Sequence, residues 1–360
     1  MLAATMPRVL CHQTIGSGSV SGSQHCSQLL QRSMPMNKIS LPLFWFLSVL
    51  VAAAQPTNDS WKDTSPHKEL FVKANGVSLE YLDWGGQGEA ILFLPGLGGT
   101  AHIFDNIAPE FTNHFRVLAL TRRGCGKSDK PKTDYALDTL ATDLRDFLNT
   151  LKIRRATLVG HSFGGVEITR FVELFPDRVS KLVYFDACYD YTSAPELLSK
   201  VDDLGSRPSN EDRTNYWALH AWFKNNLPGW NDACEANFRD ERSPASKYWS
   251  LNVTPPEVLD LLVKEAMDFK LDYTKITVPT LSFIADHRPD KLLADTPPAQ
   301  QANAPKIIDA MRKWQRNEIL QFQRQVKEGR VVELADTDHF CFIQRQDKVV
   351  AEMKSFLKPR

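Results

Sequence analysis

Gly160-His161-Ser162-Phe163-Gly164 sets a serine in the G-x-S-x-G pattern, directly after the apolar run Ala156–Val159 and ahead of helix-compatible residues. A serine at a strand-to-helix junction is held on a sharp, strained turn, so its neighbours must be tiny; Gly160, Gly164 and Gly165 meet that need. The next helix points its free amides at negative charge developing beside the hydroxyl. A hydroxyl is a poor nucleophile until a base takes its proton, so a histidine must lie far away in sequence and near in space. His339 fits, because it follows the last apolar run, Val331–Leu334, within Asp336-Thr337-Asp338-His339-Phe340. His161 adjoins the serine but points away from such a turn, and His102 and His287 are less well placed.

These groups need a rigid frame, and the apolar periodicity supplies one. Glu69–Lys73 and Val77–Trp84 read as strands joined by Asn75-Gly76, a dipeptide that tolerates the positive φ of a tight hairpin turn. Continuous apolar runs suited to buried parallel strands come next at Ala90–Leu94, Phe115–Leu120, Ala156–Val159, Leu182–Phe185, Thr280–Ile284 and Val331–Leu334. Helical spacing links Leu140, Leu144, Phe147, Leu148 and Leu151, then Ile168, Phe171, Val172 and Phe175, and lastly Val349, Met353 and Phe356. Eight strands alternating with helices predict an α/β fold, a mostly parallel sheet covered on both faces.

Between about Ala187 and Thr277 the alternation stops, and Trp217, Trp222, Trp230 and Trp249 stand among charged, helix-compatible residues. This predicts an inserted helical lid whose tryptophans either line an apolar pocket or fill the lid's own small core. Asp203, Gly205, Pro208 and Asn210 suggest a mobile loop within it.

From Glu69 onward the chain resembles the α/β hydrolases in four separate segments. Two are the serine turn and the histidine segment. The others are Leu94-Pro95-Gly96-Leu97-Gly98-Gly99, similar to the family's oxyanion loop after the third strand, and Thr121-Arg122-Arg123-Gly124-Cys125-Gly126-Lys127-Ser128, similar to its R-G-x-G-x-S turn. The resemblance implies that the backbone amides of Leu97 and Phe163 bind the oxyanion, worth about 2.7 to 4 kcal/mol per donor. Pro95 departs from the histidine that often precedes the glycine of that loop, a change that spares both amides. Arg122 and Arg123 are expected to organise the loop by hydrogen bonds rather than to bind an anionic substrate.

The family usually places its third triad member just beyond the strand Thr280–Ile284, as G-x-x-D. Here that run is Ala285-Asp286-His287-Arg288, with arginine at the expected position and Asp286 and Asp290 displaced from it. Some relatives place the acid after the preceding strand, where Leu182-Val183-Tyr184-Phe185-Asp186 offers Asp186. Asp186 is therefore the expected acid, with Asp286 and Asp290 as alternatives. Asp338 is too close in sequence to His339 to orient the ring's far nitrogen.

A chain of 360 residues can bury a sizeable core without disulfides or metal. Its 43 lysines and arginines balance 43 aspartates and glutamates, so no broad cationic field recruits nucleic acid or a membrane surface. Residues 1–35 lack periodicity and read as a leader outside the true reading frame start, with translation expected from Met34 or Met36. Residues 36–54 have the order of a secretory signal: Lys38, the apolar Ile39–Val51, then Ala52-Ala53-Ala54 before Gln55. The expected organisation is thus a core of residues 66–186 and 278–360 with a cap of residues 187–277, exported to a periplasmic or extracellular location without stable membrane insertion of the mature chain. Cys125, Cys188, Cys234 and Cys341 would remain, in a compartment that permits disulfides, with pairing left open.

The resulting expectation is a serine hydrolase, with Ser162 exposed on its turn, acting on a small or medium apolar ester and using no metal or organic cofactor. Serine at the nucleophile position argues against epoxide hydrolase and haloalkane dehalogenase chemistry, for which relatives use aspartate. Carbon–carbon bond hydrolysis on the same triad is the alternative enzyme, and a non-catalytic ligand-binding protein on the same fold is the alternative of another class.

Overall fold

The computed structural model describes residues 60–358, apart from 203, 205–207, 210–215, 243–253, 288–295, 297 and 299–300. The expected signal segment, Trp249, Asp290 and most of the loop around Gly205 lie outside the described residues. Eight strands form one sheet: β1 (Lys68–Ala74), β2 (Val77–Gly85), β3 (Ala90–Leu94), β4 (Arg116–Leu120), β5 (Ala156–His161), β6 (Val179–Phe185), β7 (Thr280–Ala285) and β8 (Gly329–Leu334). Their spatial order is β1-β2-β4-β3-β5-β6-β7-β8. Pairing is antiparallel where β2 meets β1 and β4, and parallel from β4 through to β8. Asn75 and Gly76 turn the first hairpin with φ of 46° and 81°, the pair of positive values that such a tight turn requires.

The unbroken apolar runs have a direct cause in the two-sided burial of the sheet. In β3, Ala90, Leu92 and Leu94 enter the core on one face and Ile91 and Phe93 the core on the other; in β6, Leu182 and Tyr184 oppose Val183 and Phe185 in the same way. Helices α1 (Leu137–Thr150) and α2 (Phe163–Leu174) pack on the first face through Leu140, Phe147, Ile168 and Phe171.

Between β6 and β7 the described chain forms α3 (Pro195–Asp202), α4 (Tyr216–Asn226), α5 (Asp232–Glu241) and α6 (Pro256–Asp268), with no strand among its described residues. Helix α7 (Ala304–Gln325) precedes β8, and the short α8 (Cys341–Gln344) and α9 (Gln346–Leu357) end the fold, α9 packing on the second face through Val349 and Met353. The 22-residue α7 has no counterpart in the sequence reading; its buried stripe of Ile308, Met311, Gln315, Glu318 and Phe322 includes two polar residues. Cys125, Cys188, Cys234 and Cys341 are all buried free thiols. Among the described residues no helix is long and apolar enough to cross a membrane.

Because β3, β5, β6 and β8 run in parallel, their C-terminal ends share one edge of the sheet. Pro95-Gly96-Leu97, Ser162, Asp186 and the loop bearing His339 all leave from that edge, which is where open α/β sheets assemble their sites.

Candidate active site

Ser162 sits between β5 and α2 with φ 52° and ψ −122°, a backbone state that L side chains rarely adopt. The surroundings enforce it. A Cβ on Gly160 would lie 2.5 Å from the carbonyl of Gly164, a Cβ on Gly165 2.5 Å from the Ala187 side chain, and a Cβ on Gly164 would run into the Leu94 carbonyl oxygen. The chain can pass this close to its neighbours only without side chains at those three positions. Ser162 is 7% exposed, so the expectation of an exposed hydroxyl is corrected: residues of α4 and α5 share its cavity and cover the turn. The nucleophile candidate faces a cavity and not bulk water.

Asp186 and His339 meet directly. Asp186 adopts φ 47° immediately after β6, and its fully buried carboxylate collects donors on both oxygens. Oδ1 accepts from the Tyr189 hydroxyl at 2.6 Å and the Ala285 amide at 3.2 Å. Oδ2 accepts from His339 Nδ1 at 2.7 Å, with His287 Nε2 3.1 Å away. Burial alone would raise the Asp186 pKa, but the electrostatic attraction of His287 and His339 and the hydrogen bonds they donate outweigh it and hold the group well below the usual carboxylate range. For His339, burial is the larger influence and lowers its pKa against the opposing pull of Asp186, which leaves a neutral imidazole at neutral pH. With Nδ1 donating to Asp186, its Nε2 carries the lone pair.

The alternative acids are placed elsewhere. Asp286 accepts from the amides of Asp336 at 2.9 Å and Thr337 at 3.1 Å, so it shapes the loop that carries His339. The Asp338 amide donates to Gln344 Oε1 at 2.7 Å, which fixes the same loop on its other side.

Among the described residues, the amides of Leu97 and Phe163 donate to no protein group, and Leu97 lines the same cavity as Ser162 and His339. Arg122 fixes the Leu97 loop, donating from Nη1 to the Gly96 carbonyl at 2.5 Å and from Nη2 to the Pro95 carbonyl. Glu167 of α2 holds the guanidinium in turn, at 3.1 Å to Nε and 2.7 Å to Nη2. Arg123 instead pairs with Asp143 at 2.6 Å. Both arginines are buried and serve the framework.

Several supports were invisible in the sequence. His161 Nε2 donates to the His339 carbonyl at 3.0 Å, and burial keeps its pKa well below the ordinary histidine value. Gln315 of α7 bonds the Tyr189 hydroxyl and the Ala285 carbonyl, each at 2.9 Å, so the long helix braces the Asp186 pocket from behind. His102 lies outside the cavity, bonded to Asp105.

The cavity is about 90 Å³ and is walled by Leu97, Ile103, Trp222, Phe223, Leu227, Trp230, Phe238 and Phe340. Trp222 and Trp230 therefore line it, while Trp217 packs edge-on against Tyr216 and His220 within the insertion. Asn226, Asn237 and a charged pair interrupt the apolar wall: Glu241 and Arg242 lie 2.6 Å apart, with the guanidinium stacked 4.5 Å from the Phe238 ring centre. Asn237 of α5 accepts from the Thr100 amide at 2.9 Å and so fastens the roof to the Leu97 loop.

The family model described as alpha/beta hydrolase fold matches residues 89–286, more than half of the chain. The chain belongs to the alpha/beta hydrolase fold family. This α/β hydrolase is similar to an uncharacterized protein of Mycobacterium tuberculosis, 37% identical over 126 residues, 35% of this chain and 37% of the other. It is also similar to a non-heme chloroperoxidase of Streptomyces lividans, 38% identical over 132 residues, 36% of this chain and 46% of the other. It thus spans less than half the length of these two relatives. The crystal structure of E-2-(acetamidomethylene)succinate hydrolase superposes with a TM-score of 0.61 over 81% of this chain and 99% of that one, at 20% identity. Likeness at that identity shows the fold of the α/β hydrolases and no particular substrate.

Proposed function

We propose that this α/β hydrolase is a serine hydrolase cleaving carboxylic esters through an acyl-enzyme. The observation that carries the reading is the 2.7 Å contact between His339 Nδ1 and the buried Asp186 carboxylate, in a cavity shared by His339 and the strained Ser162. In the proposed cycle Ser162 Oγ attacks the ester carbonyl as His339 Nε2 takes its proton, and Asp186 stabilises the imidazolium that forms. The Leu97 and Phe163 amides receive the oxyanion. The imidazolium then protonates the departing alcohol, water attacks the acyl-enzyme with His339 again as base, and the carboxylic acid leaves.

A cavity of about 90 Å³ with aromatic walls favours a small apolar acyl group, since pockets for drug-sized ligands run to roughly 300 Å³ or more. We also propose export of the mature chain, on the order of charged, apolar and small residues in 36–54. Secretion of the full chain with processing near Ala54, read by N-terminal sequencing, tests that part.

The activity is tested with p-nitrophenyl esters from acetate to octanoate. Turnover that falls with chain length, shows a one-equivalent burst and vanishes in Ser162→Ala supports the reading. Folded protein that turns over none of the series, yet retains an apolar ligand, would favour a binding protein. Cleavage of a vinylogous 1,5-diketone in preference to every ester would favour the carbon–carbon hydrolase.

A further inference from the structure

Outside the cavity, the segment leading into β1 and the tight turn Ala101–Phe104 bring two imidazoles and two carboxylates to one point. His67 Nδ1 lies 2.8 Å from Asp105 Oδ1. His102 Nδ1 lies 2.8 Å from Asp105 Oδ2 and 3.2 Å from Asp63 Oδ2, and His67 Nε2 is 3.7 Å from that same Asp63 oxygen. One donor atom from each of the four residues lies within 4.8 Å of all the others. The side chains of Asp105, His102 and His67 are 2%, 7% and 8% exposed, and that of Asp63 is 28% exposed.

Proton counting makes this an unusual hydrogen-bond network. His102 Nδ1 can carry one proton, yet two carboxylate oxygens from different parts of the chain converge on it. If that proton serves Asp105, Asp63 faces a donor already taken. One divalent cation would meet the lone pairs that converge from all four residues and match the charge of two aspartates. In a tetrahedral zinc site with bonds of about 2.0–2.2 Å, donor atoms stand roughly 3.4 Å apart. The contacts observed here run from 2.8 to 3.7 Å but draw on both nitrogens of His67 and both oxygens of Asp105; with one donor atom from each residue the set lies within 4.8 Å, so small side-chain rotations would close it about an ion. The set of two nitrogens and two oxygens suits zinc-class ions better than calcium or magnesium, which prefer oxygen alone.

A separate observation points the same way. His102 also lies within 4.8 Å of the carboxylates of Glu69 and Glu80. Glu80 has no exposed surface, and its Oε1 accepts no hydrogen bond, although Lys127 Nζ stands 3.6 Å away. A metal-ligating histidine usually turns its other ring N–H to a carboxylate, and Glu80 is placed to take that part.

We propose that Asp63, His67, His102 and Asp105 bind one zinc-class divalent transition metal. With four protein ligands the site is closed and structural. It ties the segment before β1 to the turn that follows the Leu97 loop, and Ile103 of that turn lines the candidate active-site cavity. Binding therefore stiffens the floor beneath the oxyanion donors without placing the ion on the substrate. This inference is independent of the ester-hydrolase reading.

The test uses the tag-free full chain, stripped with dipicolinate and titrated with zinc chloride by calorimetry, alongside Asp63→Asn, His67→Gln and His339→Gln. One saturable equivalent is expected in wild type and in His339→Gln, with affinity at least about tenfold weaker in Asp63→Asn and His67→Gln. Zinc should raise the Tm of wild type and leave that of His67→Gln unchanged, with circular dichroism confirming that the variant is folded. Should His67→Gln fail to fold, the partly exposed Asp63→Asn decides. Absence of stoichiometric binding in wild type, equal binding by both ligand variants, or loss of binding in His339→Gln would overturn the proposal.

Discussion

Replacing Asp186 by asparagine changes one atom in the buried centre of the site, and the surrounding donors dictate how the site responds. One carboxylate oxygen accepts from the Tyr189 hydroxyl and the Ala285 amide, the other from His339 Nδ1 with His287 Nε2 nearby. An asparagine must turn its NH2 toward one of these pairs. The Ala285 N–H cannot reverse its polarity, whereas an imidazole can change tautomer, so the NH2 goes to the histidine side. His339 then accepts at Nδ1 and carries its proton on Nε2, where no lone pair is left for Ser162. The expected loss in kcat is about 10⁴-fold, or about 5.4 kcal/mol at 1.36 kcal/mol per decade. Stability should fall by only about 1–3 kcal/mol, since the tautomers adjust and few donors are orphaned. Steady-state hydrolysis of p-nitrophenyl acetate and urea unfolding of the same preparations measure the two quantities. A folded Asp186→Asn within tenfold of wild-type kcat would refute the assignment of the acid.

Three further outcomes are expected. Since burial lowers the pKa of His339 despite its bond to Asp186, kcat/KM should rise with pH, reach half its plateau below the ordinary histidine value and stay flat through neutrality; a midpoint above that value would contradict the local electrostatics. Gly164→Ala drives a methyl into the Leu94 carbonyl and should cost about 3 kcal/mol, seen as a lower urea midpoint at unchanged m. Glu241→Leu strands the buried Arg242 charge and should cost about 3–5 kcal/mol, clearly more than Glu241→Gln, which keeps a hydrogen-bond acceptor; equal costs would show that the charge is solvated.

How much of the fold and site was legible depended on the range of the interactions. Gly160, Gly164 and Gly165 mark the Ser162 turn because the steric demand there is local, and Asn75-Gly76 marks its hairpin for the same reason. His339 and Asp186 could be singled out as polar residues that come after apolar strand runs. Choosing Asp186 over Asp286 was a narrower matter, since both follow strands and only the fold shows that one faces the ring while the other holds the Asp336–Thr337 amides. The contacts of His287, Tyr189 and Gln315 around Asp186, and of His161 with the His339 carbonyl 178 residues away, follow from how the strand ends and α7 converge. No periodicity encodes them. The lid tryptophans had no single answer, because neighbouring positions on α4 face the cavity at Trp222 and the insertion's own core at Trp217.

Every step of the proposed cycle depends on an activated serine at position 162, and covalent labelling by a fluorophosphonate, read by intact mass, reports on that activation without any choice of substrate. One adduct per folded wild-type chain is expected, mapped to the peptide containing Ser162, absent in Ser162→Ala and slowed by orders of magnitude in Asp186→Asn. Folded wild-type protein that takes up no label, or an adduct that persists in Ser162→Ala, would contradict the assignment of Ser162 as nucleophile.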